Sequence, residues 1–221
     1  MTADLLLPNK PCLVAAQRAA LARLHDAVRR GGMAVLCGPA GSGKTLLLKR
    51  LACELRADGG HDRCGLVHLR DGIDGRWQVV LIDDAHAARD AAALQEALQE
   101  VLGESDRGGQ ATAVVLAGEG RLLTLLARQP DLEQRVLLRA VLPAWNATET
   151  QTLVATALPE LLANDDGPLL AHRLHELAAG IPRQTVRLIE TVRMVLSAEP
   201  AHRLTVDDLE TFHRRLSLRA A

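Results

Sequence analysis

The chain has 221 residues, 26 basic against 27 acidic, a formal charge of −1 and 48% apolar residues, which suffices for one α/β core and a small satellite and is too short for two full-sized domains. The near-neutral balance excludes a global field for nucleic acid or anionic membrane, and Phe212, Trp77 and Trp145 as the only aromatics exclude a base-stacking platform and leave the core to Leu, Val and Ala. No apolar stretch reaches the ~18 residues of a membrane span, no basic-then-apolar leader opens the chain, and Cys12, Cys37, Cys53 and Cys64 lack C-x-x-C spacing, so a soluble protein of the reduced cytoplasm is expected.

Residues 13–30 carry Leu21, Leu24 and Val28 at helical spacing and stop at Gly31 and Gly32, predicting a capped helix. Residues 33–37 predict a buried strand, a glycine-rich loop follows, and 45–55 predict a helix. Two further apolar runs, 65–69 and 78–83, are separated by eight residues, 70–77. A parallel crossover usually takes a dozen or more. The first run is therefore expected either to pair antiparallel as a trimmed edge hairpin, the preferred reading, or to be no sheet strand at all. Residues 91–102 place Leu94, Ala97, Leu98 and Val101 on one face with Glu96 and Glu100 opposite, an amphipathic helix. Then follow a strand at 113–117, helices at 122–128 and 132–138, and a short strand at 140–142. Beyond Pro143 the pattern turns wholly helical, opened by Asn146 with Glu149 as a capping-box start. Helices are expected at 147–157, 168–179, 183–196 and 205–216, the last headed by Thr205 and Asp208. The predicted fold is α/β, a mainly parallel sheet over 1–144 with a small C-terminal helical lid over 145–221.

The loop is Gly38, Pro39, Ala40, Gly41, Ser42, Gly43, Lys44 and Thr45, a full G-x-x-x-x-G-K-[ST] pattern between a strand and a helix. Glycines let backbone N–H groups turn in around a β-phosphate, Lys44 neutralises β/γ oxygens, and the Thr45 hydroxyl can ligate Mg²⁺ at a helix N-terminus. The pattern predicts a nucleoside triphosphate site. Its companion is the apolar run that ends in Asp83 and Asp84. Asp83 is the candidate Mg²⁺ holder, and Asp84 the candidate that orients or deprotonates the attacking water. One methylene shorter than Glu, Asp84 would stand about 1 Å back from that water, which makes slow hydrolysis the expectation.

Gly38 to Thr45, the Leu81 to His86 run, the segment from Leu116 through Glu119 and Arg121 to Leu122, the trio Gln134, Arg135 and Val136, and Gly180 with Ile181, Pro182 and Arg183 occur in the order of an AAA+ ATPase, and the chain resembles that family over nearly its whole length. Within the family it is similar to the ExeA-like and TniB-like branch of secretion, pilus assembly and transposition. The resemblance implies ATP with Mg²⁺, Walker A at 38–45, Walker B at Asp83 and Asp84, a sensor 1 region at Glu119, an arginine finger at Arg135 with Arg139 as the fallback, and sensor 2 at Arg183 in the lid. It also implies a homo-oligomer formed on nucleotide binding and an unspecified protein partner. Two departures stand out: Asp84 occupies the place of the usual Glu, and Glu119 that of an uncharged side chain, where a carboxylate would repel a γ-phosphate unless protonated or turned away.

Other features have plainer readings. Cys53, His61, Cys64 and His68 match no common metal spacing, His86 suits an exposed loop, and His202, Arg203, His213, Arg214, Arg215 and Arg219 suit helix-dipole complementation as well as phosphate contacts. Three functions follow: an ATPase that assembles or remodels a partner complex, an ATP-controlled DNA-binding accessory of transposition, or a nucleotide-stabilised adaptor with little turnover. The peptidoglycan-binding or membrane-anchoring extension of the longer secretion ATPases is not expected here.

Overall fold

The computed structural model describes residues 13–59, 64–71, 77–105, 113–162, 165–199 and 201–218. They form two compact units, one of Ala15–Pro143 and one that runs from Ala144 onward and includes residues 13–14. In the first, helix α1 (Ala15–Arg29) precedes β1 (Met33–Cys37), α2 (Lys44–Ala57), β2 (Cys64–His68), β3 (Val79–Asp83), α3 (Ala91–Ser105), β4 (Ala113–Gly118), α4 (Gly120–Ala127), α5 (Pro130–Gln134) and β5 (Val136–Val141). The five strands lie in the order β2-β3-β4-β1-β5 and every pairing is parallel. Every residue of β1, β3 and β4 is buried, which is why these strands read as unbroken apolar runs: helices cover both faces of a parallel sheet.

The antiparallel edge hairpin expected at 65–69 is not what forms. Strand β2 pairs parallel to β3, with Cys64 beside Val79 and His68 beside Asp83. A five-residue strand is only about 16 Å long. The ten residues from Leu69 to Gln78 that return to the start of β3 can span about 33 Å when extended, so no crossover helix is needed; a 3₁₀ turn at Leu69–Asp71 begins the return. Gly60, Gly72 and Gly75 lie outside the described residues. Edge strand β2 is shielded by Trp77, whose ring would stand 2.8 Å from a Cβ at Gly65.

The expected helix at 132–138 is also corrected. Helix α5 ends at Gln134, and Val136–Val141 is the outer strand, paired to β1, with Leu137 and Val141 61% and 64% exposed. Leu132 and Val136 have helical spacing, but pairing with β1 and the β-branched Val136 and Val141 decide the outcome.

The second unit contains α6 (Ala147–Ala157), α7 (Pro159–Leu162), α8 (Gly167–Ala178), α9 (Pro182–Ala198) and α10 (Val206–Leu218). Its core includes Leu153, Val154, Leu158, Leu174, Leu188, Ile189 and Leu209. The capping box at α6 is complete: the Glu149 amide donates to Asn146 Oδ1 at 2.8 Å and the Asn146 amide to Glu149 Oε2 at 3.0 Å. At α10 the Thr205 hydroxyl and amide both donate to Asp208. Burial pushes the Asp208 carboxyl up, but these bonds and His202 outweigh it and hold it below its ordinary value.

Helix α8 closes at Gly180, which is left-handed at φ 65° and accepts the Trp145 amide at 2.8 Å. A Cβ there would stand 2.3 Å from the Trp145 carbonyl oxygen. Gly180→Ala is therefore expected to destabilise the helical unit by about 2 kcal/mol, from left-handed strain plus backbone crowding; chemical denaturation followed by helix circular dichroism measures it, and an unchanged midpoint contradicts it.

Candidate functional site

Strand β1 delivers the chain into the glycine loop and α2 leaves it, so the loop sits at the carboxyl end of a central parallel strand. Gly41 and Gly43 take φ of 80° and 97°, a left-handed backbone open to glycine. Gly38 has no room for a side chain, since a Cβ would meet Ser42 Oγ at 2.6 Å and the Leu142 carbonyl at 3.0 Å. Ser42 is 1% exposed, and its hydroxyl has no hydrogen-bond partner among the described residues.

Lys44, 6% exposed, donates from Nζ to the Gly38 and Pro39 carbonyls at 2.9 and 3.0 Å, and makes no ion pair among the described residues. A buried ammonium without a carboxylate partner, beside an orphaned hydroxyl and tight glycine turns, suits an anionic polyphosphate. From α1, Gln17 Nε2 donates to the Ser42 carbonyl at 3.2 Å and braces the loop. Nothing in the loop pattern announces Gln17, because the contact spans 25 residues of sequence.

Asp83 ends β3 at 1% exposure. The Thr45 hydroxyl donates to its Oδ2 at 2.6 Å and the Asp84 amide to its Oδ1 at 3.0 Å. A hydroxyl and a carboxylate held together form the oxygen-only donor set that suits Mg²⁺. Asp84 follows in the left-handed region, φ 52° and ψ 33°. For a non-glycine residue this carries strain of about 1 kcal/mol, the kind that collects at functional sites. Its side chain is 57% exposed and lines a cleft of ≈390 Å³ with His68, Leu69, Asp71, His86, Ala87 and Glu119. His86 stands between two carboxylates, Nδ1 4.0 Å from Asp84 and Nε2 3.8 Å from Glu119. Glu119 itself occupies the N-cap of α4.

The first unit thus brings Gly38 to Thr45, Asp83 and Asp84 together. Arg135 is on the same unit, exposed at the end of α5. Its fallback Arg139 is engaged, donating to Glu133 Oε1 at 2.8 Å. Arg183 belongs to the second unit and is exposed at the second position of α9. Burial pushes the Cys37 thiol up against the pull of Lys44 and Arg139, and the Cys64 thiol up against Arg56, so both are poor nucleophiles at neutral pH. Cys12, His61 and Arg219 lie outside the described residues. Among the described residues no helix is long and apolar enough to cross a membrane.

No family model and no curated protein matches the chain. Solved structures do. RuvB of Thermotoga maritima, as a point variant, superposes with a TM-score of 0.61 at 21% identity, over 91% of this chain and 68% of that one. The Aeropyrum pernix ORC2 protein in its ADPNP-ADP complexes gives 0.63 at 16%, over 95% and 70%. The Aeropyrum pernix ORC1 protein in complex with DNA gives 0.62 at 17%, over 96% and 68%. The α/β unit with its all-parallel five-stranded sheet has the fold of the AAA+ P-loop ATPases.

Proposed function

We propose that the chain is an AAA+ ATPase module that binds ATP with Mg²⁺ and hydrolyses it slowly to assemble or remodel a partner complex. The observation that carries this reading is the 2.6 Å contact between Thr45 and Asp83, which sets a hard-cation site beside the glycine loop and Lys44. The loop amides and Lys44 hold the polyphosphate, and Thr45 and Asp83 hold Mg²⁺. Bound there, the ion draws charge from the phosphate oxygens. Asp84 orients and deprotonates water, Arg183 reports the γ-phosphate from the helical unit serving as lid, and Arg135 completes the site of a neighbouring copy. A cation in the first turn of α9, at Arg183, opposes the helix dipole, a local conflict that a phosphate-sensing role explains. The similarity to ORC2, solved with ADPNP and ADP, supports the nucleotide. The assembly role leans on the ExeA-like and TniB-like resemblance.

Calorimetry with MgATP and phosphate release at saturating ATP test the reading, with Lys44→Ala as the control. Equal release by the wild type and Lys44→Ala would end it. Asp84→Glu is expected to raise turnover about tenfold by restoring the missing methylene; a rate equal to the wild type would remove Asp84 from the water-activating role.

A second reading, an ATP-controlled DNA-binding accessory, is favoured by the similarity to ORC1 solved with DNA and by Arg214 and Arg215, exposed on α10 and without ion pairs among the described residues. ATP-dependent retention on DNA that weakens steeply with salt distinguishes it.

A further inference from the structure

Arg121 enters none of the roles above, yet it makes a two-pronged contact with the turn that carries Asp84. Its Nη1 donates to the His86 carbonyl at 2.6 Å and its Nη2 to the Arg89 carbonyl at 2.8 Å. The His86 carbonyl lies inside a 3₁₀ turn, Ala85–Ala87, and the Arg89 carbonyl two residues past its end; the turn begins where Asp84 goes left-handed, and the Ala87 amide donates to the Asp84 carbonyl at 2.8 Å. The turn is anchored on its inner side by Ala85 and Ala88, 0% and 5% exposed, and wedged against the end of β4, where a Cβ at Gly118 would meet the His86 nitrogen at 3.1 Å. Its outer side is held by the Arg121 fork.

We propose that Arg121 is a positioning residue of the hydrolytic site, its guanidinium forked over the His86 and Arg89 carbonyls to hold the turn that sets Asp84. A planar guanidinium spans two separated carbonyls with N–H groups of fixed spacing, whereas an ammonium must reach both from one nitrogen. The placement has a local cost, because Arg121 stands in the first turn of α4, where a cation opposes the helix dipole. Such conflicts mark functional positions. A left-handed Asp needs surroundings that over-determine it, and a base already one methylene short tolerates little further drift. Glu119 at the N-cap of the same helix faces His86 across 3.8 Å, so the first turn of α4 meets this turn from both main chain and side chain.

The inference rests on the hydrolytic reading above, and two measurements separate the two. Phosphate release and MgATP calorimetry are made on the wild type, Arg121→Ala, Arg121→Lys and Lys44→Ala, and amide hydrogen exchange is followed at Ala87 and Ala88. Arg121→Ala is expected to lose about tenfold in kcat with MgATP affinity unchanged, while both amides exchange about tenfold faster and those of β3 do not. Arg121→Lys is expected to recover part of kcat. Unchanged kcat in Arg121→Ala, a fall in affinity equal to the fall in kcat, or unchanged protection of the two amides overturns the proposal. If the wild type and Lys44→Ala release phosphate equally, the hydrolytic reading falls, and amide exchange alone then decides whether Arg121 holds the turn.

Discussion

Lys44→Ala should lower ATP turnover about a thousandfold, equivalent to about 4 kcal/mol of transition-state stabilisation, and should abolish the heat of MgATP binding, while the protein stays folded. The ammonium is 6% exposed and, among the described residues, bonded to the Gly38 and Pro39 carbonyls. A charge held that way, without a carboxylate among the described residues, contributes little to folding, because desolvation offsets its two hydrogen bonds. Its worth lies in neutralising phosphate oxygens in a site from which water is largely excluded. Thermal unfolding without nucleotide should therefore be nearly the same for the two proteins, and the difference should emerge when MgATP is added, since only the wild type gains the linkage term of a bound ligand. A mutant that still gains stability from MgATP would place the polyphosphate elsewhere.

The contrast between what the chain disclosed and what it concealed follows the range of the interactions. The glycine loop was legible because each residue type answers a local demand: φ above zero at Gly41 and Gly43, no Cβ at Gly38. The Asn146 and Glu149 box was legible for the same reason, being closed within three residues. The direction of β2 was not, since a run of alternating or buried side chains is the same read up or down, and the length of its return could be judged only against the strand it must retrace. Strand β5 was hidden because spacing at Leu132 and Val136 suits a helix until β1 supplies hydrogen bonds to the neighbouring segment. Gln17 and Arg121 act on main-chain carbonyls 25 to 35 residues away, and a carbonyl carries no mark of its partner in the sequence.

Asp83→Asn should leave stability within about 1 kcal/mol of the wild type and lower turnover about a thousandfold. On the stability side two effects oppose each other. The carboxylate, 1% exposed, accepts from the Thr45 hydroxyl at 2.6 Å and the Asp84 amide at 3.0 Å. An amide in its place removes a buried charge, which is favourable, and turns an NH₂ toward a donor that had an acceptor, which is unfavourable by a similar amount. Function has no such cancellation. A neutral amide keeps one oxygen but gives up the negative charge that draws a divalent cation to the Thr45 hydroxyl, and the phosphate oxygens then keep the charge the reaction must disperse. Titrating Mg²⁺ at fixed ATP separates this from a general weakening: the wild type should gain affinity and thermal stability with the cation, whereas Asp83→Asn should bind ATP weakly and respond little to it. Equal responses in the two proteins would mean that some other carboxylate, with Asp84 the nearest in sequence, is the cation's anchor, and the hydrolytic site would then be centred one residue further along the chain.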